Sequence, residues 1–205
     1  MNFVRKIFFL IFTVSLAYAV LRYHVFGDVP WTHFPLFVFN KVVALSGFLL
    51  LIFSSILSLV KNGLKEDRDM IGFGSLVLII IHVFISVILL GPEYFLKFYG
   101  PDGKYNLTGE LSMLTGILGL AAMWMVNRYF SISGTLNRES IRGKQYKKLV
   151  SLAIIAGFFH TFIMGFKSWL TPDEWHGYFP PITLLAVFGF FAWMFFAIRK
   201  NKNVT

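Results

Sequence analysis

Two long apolar runs, each with one histidine near its middle, constrain this chain more than any other feature. Residues 71–90 contain His82 as their only ionisable side chain, and residues 147–169 hold His160 among about twenty otherwise apolar residues. A helix of about twenty apolar residues crosses the hydrocarbon core of a bilayer. An ionisable side chain inside such a span is a functional candidate, because burying it in lipid is costly.

The two histidines lie at nearly one depth if both runs enter the membrane from the same side. His82 follows Arg68 by 14 residues, and His160 follows Lys147 by 13. At 1.5 Å per helical residue, both imidazoles lie about 20 Å from the charged end of their span. Two imidazoles at one level in parallel helices can hold a flat cofactor with one ligand on each face, as haem iron allows. The alternative is a pair of buried histidines that bond to the backbone or to each other.

Residues at helical spacing from His160 share its face and include Gly157, Met164 and Lys167. Gly157 has no side chain and leaves space beside the imidazole. Lys167 places a positive charge on the same face two turns further out. We predict that Lys167, and Lys41 in the outer part of the second span, neutralise haem propionates. The alternative for each lysine is an extended side chain that reaches the lipid headgroups. Met164 is an alternative axial ligand, although packing is the more usual role of such a methionine.

The composition identifies an integral membrane protein. Hydrophobic residues make up 57% of the 205 and charged residues only 14%, which needs no water-soluble core. The absence of cysteine excludes disulfides, iron–sulfur clusters, thiolate zinc sites and thiol catalysis. The net charge of +9 does not predict nucleic-acid binding, because the basic residues fall mostly in short connections on one side of the membrane. No Gly-rich phosphate loop follows a strand pattern, so a nucleotide-binding domain is not expected.

Hydropathy predicts an all-α fold, a six-helix membrane bundle that forms one domain over residues 1–205. The basic connections at 61–69 and 128–148 and the basic end at 199–202 fall on one side if both termini lie inside. That topology makes the third and fifth spans parallel, and it predicts a multi-pass protein of the cell membrane. The predicted spans are about 5–26, 36–60, 70–90, 109–129, 148–168 and 182–198.

Two features of the outer side and the amino terminus have alternative interpretations. Ala17-Tyr18-Ala19 resembles a signal-peptidase site, so residues 1–19 are either a cleaved signal or, as we prefer, part of a retained helix. Three histidines lie in the outer loops with acidic neighbours, where they form either an interfacial aromatic belt or a metal site. These residues are His24, His33 and His176, with Asp28, Asp173 and Glu174.

Several segments resemble the ferric reductase-like transmembrane domain, a six-helix haem module found in ferric reductases, NADPH oxidases and the membrane haem subunit of bacterial periplasmic methionine sulfoxide reductase. The resemblance covers about residues 36–200. It rests on Asp67-Arg68-Asp69 before Ile71-Gly72, the His82 span, the basic loop leading into Lys148-Leu149-Val150, His160, and the segment from Thr171-Pro172-Asp173 through Trp175 to Pro180-Pro181.

This resemblance implies electron transfer through b-type haem, with one departure. Family members commonly bind two stacked haems through two histidines about thirteen residues apart on each ligand helix. Here Lys147 stands thirteen residues before His160, and no histidine lies at that spacing from His82. We therefore expect at most one haem b, in the outer half of the membrane, with His82 and His160 as iron ligands.

The resemblance also implies that the protein receives electrons from a partner. No flavin or nicotinamide domain is present in the sequence, so a membrane quinol or a separate redox protein is expected to supply electrons. The protein is then an electron-transfer component of an oxidoreductase in the lipid bilayer, and nothing assigns it a catalytic residue of its own. One alternative is a haem-free membrane scaffold or subunit that has kept only the bundle. Another is a small transporter, but the spans contain few of the intramembrane charges that a polar pathway needs.

Overall fold

A computed structural model describes residues 3–60, 65–133 and 141–202. Within these ranges the protein is helical, with one isolated bridge between Tyr99 and Tyr105. The helices are α1 Phe3–Val20, α2 Phe39–Val60, α3 Lys65–Ile88, α4 Pro92–Phe95, α5 Leu107–Ser133, α6 Ile141–Trp169 and α7 Ile182–Lys202.

Six of these helices are long and apolar enough to cross a membrane. The expectation of an all-helical protein with six helices able to span a membrane is therefore confirmed, and the short α4 lies in the connection between α3 and α5. Some helices continue beyond their apolar part: α6 begins at Ile141, well before the apolar run predicted from residue 148. Polar side chains are compatible with a helix outside the hydrocarbon core, so hydropathy marks the span and not the end of the helix.

The central helix of the bundle is α2. In its most apolar stretch 56% of residues are buried inside the protein, against 17–28% in the other five spans. It packs along α3, α7 and α1. Close approach to α3 depends on Gly47, where a Cβ atom would come within 2.9 Å of Ile79 Cγ1. The Ser75 hydroxyl donates a 2.7 Å hydrogen bond to the Gly47 carbonyl across the same contact, which is how small and hydroxyl residues join helices in lipid.

The helices that carry the two histidines do not pack along each other. Over the described residues α3 packs mainly along α2, whereas α6 packs along α5 and α7. Space is therefore left between α3 and α6, and the histidine side chains project into it.

Candidate functional site

The two central histidines come together in the space between α3 and α6. The ring centroids of His82 and His160 lie 6.4 Å apart with an angle of 72° between the ring planes. With a metal–imidazole bond of about 2.0 Å and a ring radius of about 1.1 Å, two imidazoles facing one metal ion have centroids about 6.2 Å apart. Axial imidazoles can rotate about their bonds to the metal, so the angle is compatible with this arrangement.

His82 is held in position by a hydrogen bond from α2. Its Nδ1 lies 2.7 Å from Asn40 Oδ1 and 3.3 Å from the hydroxyl of Ser86, one turn further along α3. Asn40 Nδ2 donates to Ser86 Oγ at 3.0 Å, which fixes the amide so that its oxygen faces the imidazole. His82 Nδ1 therefore carries the proton and donates it, and Nε2 keeps its lone pair.

His160 is held in the same way by α5. Its Nδ1 donates to the backbone carbonyl of Ser112 at 2.9 Å, and the Ser112 hydroxyl lies 3.3 Å away. Since a carbonyl only accepts, this bond also leaves the lone pair on Nε2. Space for the ring depends on Gly116, where a Cβ atom would lie 3.2 Å from His160 Nδ1.

Both imidazoles use Nδ1–H as a donor, and neither Nε2 has a hydrogen-bond partner among the described residues. Metal-binding histidines characteristically donate their second ring N–H to a carbonyl or carboxylate, which orients the ring and raises its basicity. The donor set therefore fits a metal with two axial nitrogen ligands. The described residues contain no cluster of three or more histidine, cysteine or acidic side chains that could hold a bare metal ion.

A cavity of about 230 Å³ contains both histidines. Its walls are mainly apolar, and the few polar groups are concentrated around the imidazoles and at one end. The lining residues used below are Asn40, Lys41, Phe48, His82, Ser112, Gly116, Gly157, His160 and Met164.

Two lysines approach the end of this cavity that lies away from Lys147. Half-buried Lys41 lines the cavity and places its Nζ 4.1 Å from the centre of the Phe37 ring. Lys97, in the connection after α4, donates from Nζ to the backbone carbonyl of Met164. Although Lys97 as a whole is exposed, protein atoms crowd its ammonium and Lys41 repels it, which lowers the pKa of Lys97 to about 8.

Neither lysine is paired with an acidic side chain. Within the described residues the only ion pair joins Arg68 and Asp69, at 2.8 Å, on the other half of the bundle. Two cations that approach each other without a counterion favour an anionic ligand between them.

Four of the five predicted site residues line the same cavity. His82, His160, Gly157 and Lys41 all line the cavity. Gly157 faces the Phe48 ring, and a Cβ atom there would lie 2.5 Å from Phe48 Cε2. The close packing at this position therefore requires a residue without a side chain. Lys167 is exposed and is not part of the wall. Lys97 instead approaches this end of the cavity, where its Nζ donates to the Met164 carbonyl on α6.

Several residues of the site were not predicted. Asn40 was visible as an amide in an apolar span, and Ser86 lies one turn from His82, so helical spacing could have identified both. The Ser112 carbonyl and Lys97 had no such signal, because they reach the site from other elements.

The outer-loop histidines do not form a common site in the described structure. His24 stacks on Trp31 with centroids 4.1 Å apart and bonds through Nδ1 to the Val29 carbonyl at 2.8 Å. His33 lies beside Tyr94, and His176 lies beside Tyr23. Each histidine takes part in a separate aromatic contact, which is typical of residues near the membrane surface.

Comparison with models of known protein families gave no match, and comparison with curated proteins also gave none. The case for a function therefore depends on the residues and geometry of the chain itself.

Proposed function

We propose that the protein is a ferric reductase-like membrane protein of the b type, which holds one haem through His82 and His160 and carries electrons in the outer half of the cell membrane. We further propose that both termini lie inside. One observation carries this proposal: two imidazoles 6.4 Å apart, each with Nδ1 engaged as a donor. That separation is compatible with a single metal ion between the two imidazoles.

Asn40 and the Ser112 carbonyl are positioning groups in this proposal. By accepting the Nδ1 protons they fix the tautomer, aim each Nε2 into the cavity and make it a better electron donor. When bound, the haem would supply one-electron chemistry at an iron with no open coordination position, which favours outer-sphere transfer over reaction on the metal. The apolar walls around the imidazoles exclude water and so help to set the potential.

Lys41 and Lys97 supply positive charge at the end of the cavity, as the two carboxylates of a haem require. A haem carries two carboxylates, and the two lysines approach the same end of the cavity without acidic partners among the described residues. Charge-assisted hydrogen bonds to carboxylates are stronger than neutral ones. In this proposal Lys97 has the role that the sequence predicts for Lys167, which is exposed and does not line the cavity.

The electron donor in this proposal is a membrane quinol or a separate redox protein, and the bilayer is the immediate partner. Lys41 and Lys97 would hold the haem carboxylates at the end of the cavity away from Lys147, and in the proposed topology that end faces the outside. The protein is then one component of an oxidoreductase.

The test is a reduced-minus-oxidised difference spectrum of the protein purified in mild detergent with haem supplied. We expect b-type bands that are lost in His82→Ala and in His160→Ala. His33→Ala serves as a matched control, because it removes an imidazole outside the cavity and is expected to leave the bands unchanged. A spectrum that survives either central substitution would exclude the paired-ligand site.

The cavity volume favours one alternative, a haem-free membrane scaffold. About 230 Å³ is below the range of about 300–1,000 Å³ usual for small-molecule sites, so wall side chains such as Phe48 must change rotamer to admit a porphyrin. A colourless but normally folded protein after incubation with haem would support the scaffold.

A further inference from the structure

The five helices around the histidine cavity form a ring with one weak junction. Over the described residues, α3 packs along α2, α2 along α7, α7 along α6, and α6 along α5. The junction between α5 and α3, which closes the ring, is much looser than these four. Residues of all five helices line the cavity, so it lies inside this ring. The loose junction is therefore the weakest part of its wall.

Two apolar residues mark this junction, one on each helix. Val87 of α3 and Ile117 of α5 both line the cavity, yet they are 62% and 59% exposed. Their neighbours Ile88 and Leu118 are also exposed but do not line the cavity. Val87 and Ile117 therefore border the cavity on one side and the outer surface of the bundle on the other. We call these two residues the rim.

The rim lies beside the two imidazoles. Val87 follows His82 by five residues on α3, a helical distance of about 7.5 Å. On α5, Ile117 directly follows Gly116, where a Cβ atom would lie 3.2 Å from His160 Nδ1. A molecule that crosses the rim therefore enters the cavity close to the level of the histidines.

The rim also lies within the apolar spans. Ile117 is near the middle of the α5 span, Leu107–Arg128, and Val87 is near the carboxyl-terminal end of the α3 span, Glu66–Ile88. Among the described residues, α3 and α5 contribute no lysine, arginine or acidic side chain to the cavity lining. Moving a charged group from water through such a rim costs much more than moving an apolar one. The opening therefore favours a ligand that is dissolved in lipid.

We propose that the gap between α3 and α5 is a lateral portal, through which the histidine cavity takes a mainly apolar ligand directly from the bilayer. The identification of this ligand as haem rests on the proposed function, whereas the portal rests on the packing of the ring and the exposure of the rim. Haem suits this route, because its ring system is apolar and its two carboxylates can remain at the end of the cavity that Lys41 and Lys97 approach.

The first test does not require haem. The chain contains no cysteine, so Ala44→Cys introduces its only thiol, on the α2 wall of the cavity. In phosphatidylcholine vesicles, a lipid-soluble maleimide is expected to label this thiol at least about tenfold faster than a charged, membrane-impermeant maleimide, a difference of about 1.4 kcal/mol in barrier. Ser46→Cys is the control, because Ser46 is fully buried and does not line the cavity, and it is expected to resist both reagents. Faster labelling of Ala44→Cys by the charged reagent would overturn the portal, since it would indicate entry from water.

Two pairs of substitutions in the Ala44→Cys protein test the location of the portal. Val87→Trp with Ile117→Trp adds bulk at the rim, and labelling by the lipid-soluble maleimide is expected to slow by about tenfold, or about 1.4 kcal/mol in barrier. Ile88→Trp with Leu118→Trp adds bulk at adjacent exposed positions off the cavity and is expected to leave the rate nearly unchanged. Far-ultraviolet circular dichroism confirms that the helices of each variant are intact. Equal rates in the two pairs would reject the portal.

Haem loading separates the portal from the proposed function. Haem is supplied in the vesicle membrane, and the Soret absorbance is followed in time for the protein without the added cysteine. The rim pair is expected to load about tenfold more slowly than the control pair. If labelling follows the expected pattern but no haem spectrum forms in the wild type, the portal stands and the haem proposal fails. If haem binds but both pairs load at the same rate, the haem proposal stands and the portal is rejected.

Discussion

Replacing Asn40 tests the positioning of His82 most sharply. Asn40 is 4% exposed and lies 2.7 Å from His82 Nδ1 through its side-chain oxygen. In Asn40→Leu the imidazole N–H loses its close acceptor and keeps only the Ser86 hydroxyl at 3.3 Å, and a poorly satisfied buried donor costs about 1–3 kcal/mol. Loss of such a positioning partner typically weakens metal binding by about 10–100-fold. We therefore expect haem to bind at least about tenfold more weakly to the variant.

The matched control is Ser112→Ala. His160 also has a partner for Nδ1, but that partner is the backbone carbonyl of Ser112, which no side-chain substitution removes. Only the longer contact to the Ser112 hydroxyl, at 3.3 Å, is lost. The effect of Ser112→Ala on haem affinity is accordingly expected to be small, within about threefold, since a weak neutral hydrogen bond contributes well under 1 kcal/mol.

The assay is a haem titration of the purified haem-free proteins, followed by the Soret absorbance, with the midpoint potential of each loaded protein measured in parallel. Far-ultraviolet circular dichroism confirms that the helices of each variant are intact. If Asn40→Leu binds haem as tightly as the wild type, or if Ser112→Ala weakens binding as much as Asn40→Leu does, the assigned roles of the Nδ1 partners are wrong.

Three further predictions concern other parts of the structure. Gly116→Leu should abolish haem binding while the helices remain, because even a Cβ atom there lies 3.2 Å from the His160 ring; absorbance and circular dichroism together would show this. The pKa of Lys97 is lowered to about 8, and a bound carboxylate would raise it again, so haem affinity should be full below pH 8 and fall as the pH rises above it. Titrations at pH 7 and pH 9.5 should show the fall in the wild type and a smaller fall in Lys97→Gln, in which Lys41 is the remaining lysine at this end of the cavity; equal pH dependence in both would contradict the assignment. Trp193→Phe should lower the free energy of unfolding by about 1–3 kcal/mol, because its indole bonds Ser55 inside the bundle, and denaturation in detergent would measure the loss.

The sequence predicts the spans well because a bilayer imposes a simple rule on composition. Every apolar run of about twenty residues must be a helix, since lipid offers no partner to an unpaired backbone group. The same rule makes His82 and His160 conspicuous, because little else that ionises lies at their depth. Similar spacings of 14 residues from Arg68 and 13 from Lys147 then place both rings at nearly one level, and the 6.4 Å separation agrees with this.

What the sequence does not predict is which neighbours complete the site. Packing sets the rotation of each helix about its axis. Lys167 therefore does not line the cavity, although helical spacing places it on the same face of α6 as His160. The connection after α4 instead brings Lys97 close to the cavity. The Ser112 acceptor could not be predicted from the sequence, because it is a backbone carbonyl and every residue has a backbone carbonyl. A cavity of about 1300 Å³ lined by residues of five helices, among them Leu51 and Trp193, is likewise a property of three-dimensional packing that the sequence does not reveal.

Electron paramagnetic resonance of the oxidised, haem-loaded protein tests the central proposal most directly, since the signal reports which groups bind the iron. Two axial imidazoles from His82 and His160 predict a low-spin ferric signal, which should become high-spin or disappear in His82→Ala and in His160→Ala. A high-spin signal in the wild type, or a low-spin signal unaffected by either substitution, would contradict the proposal that these two rings hold one haem between them.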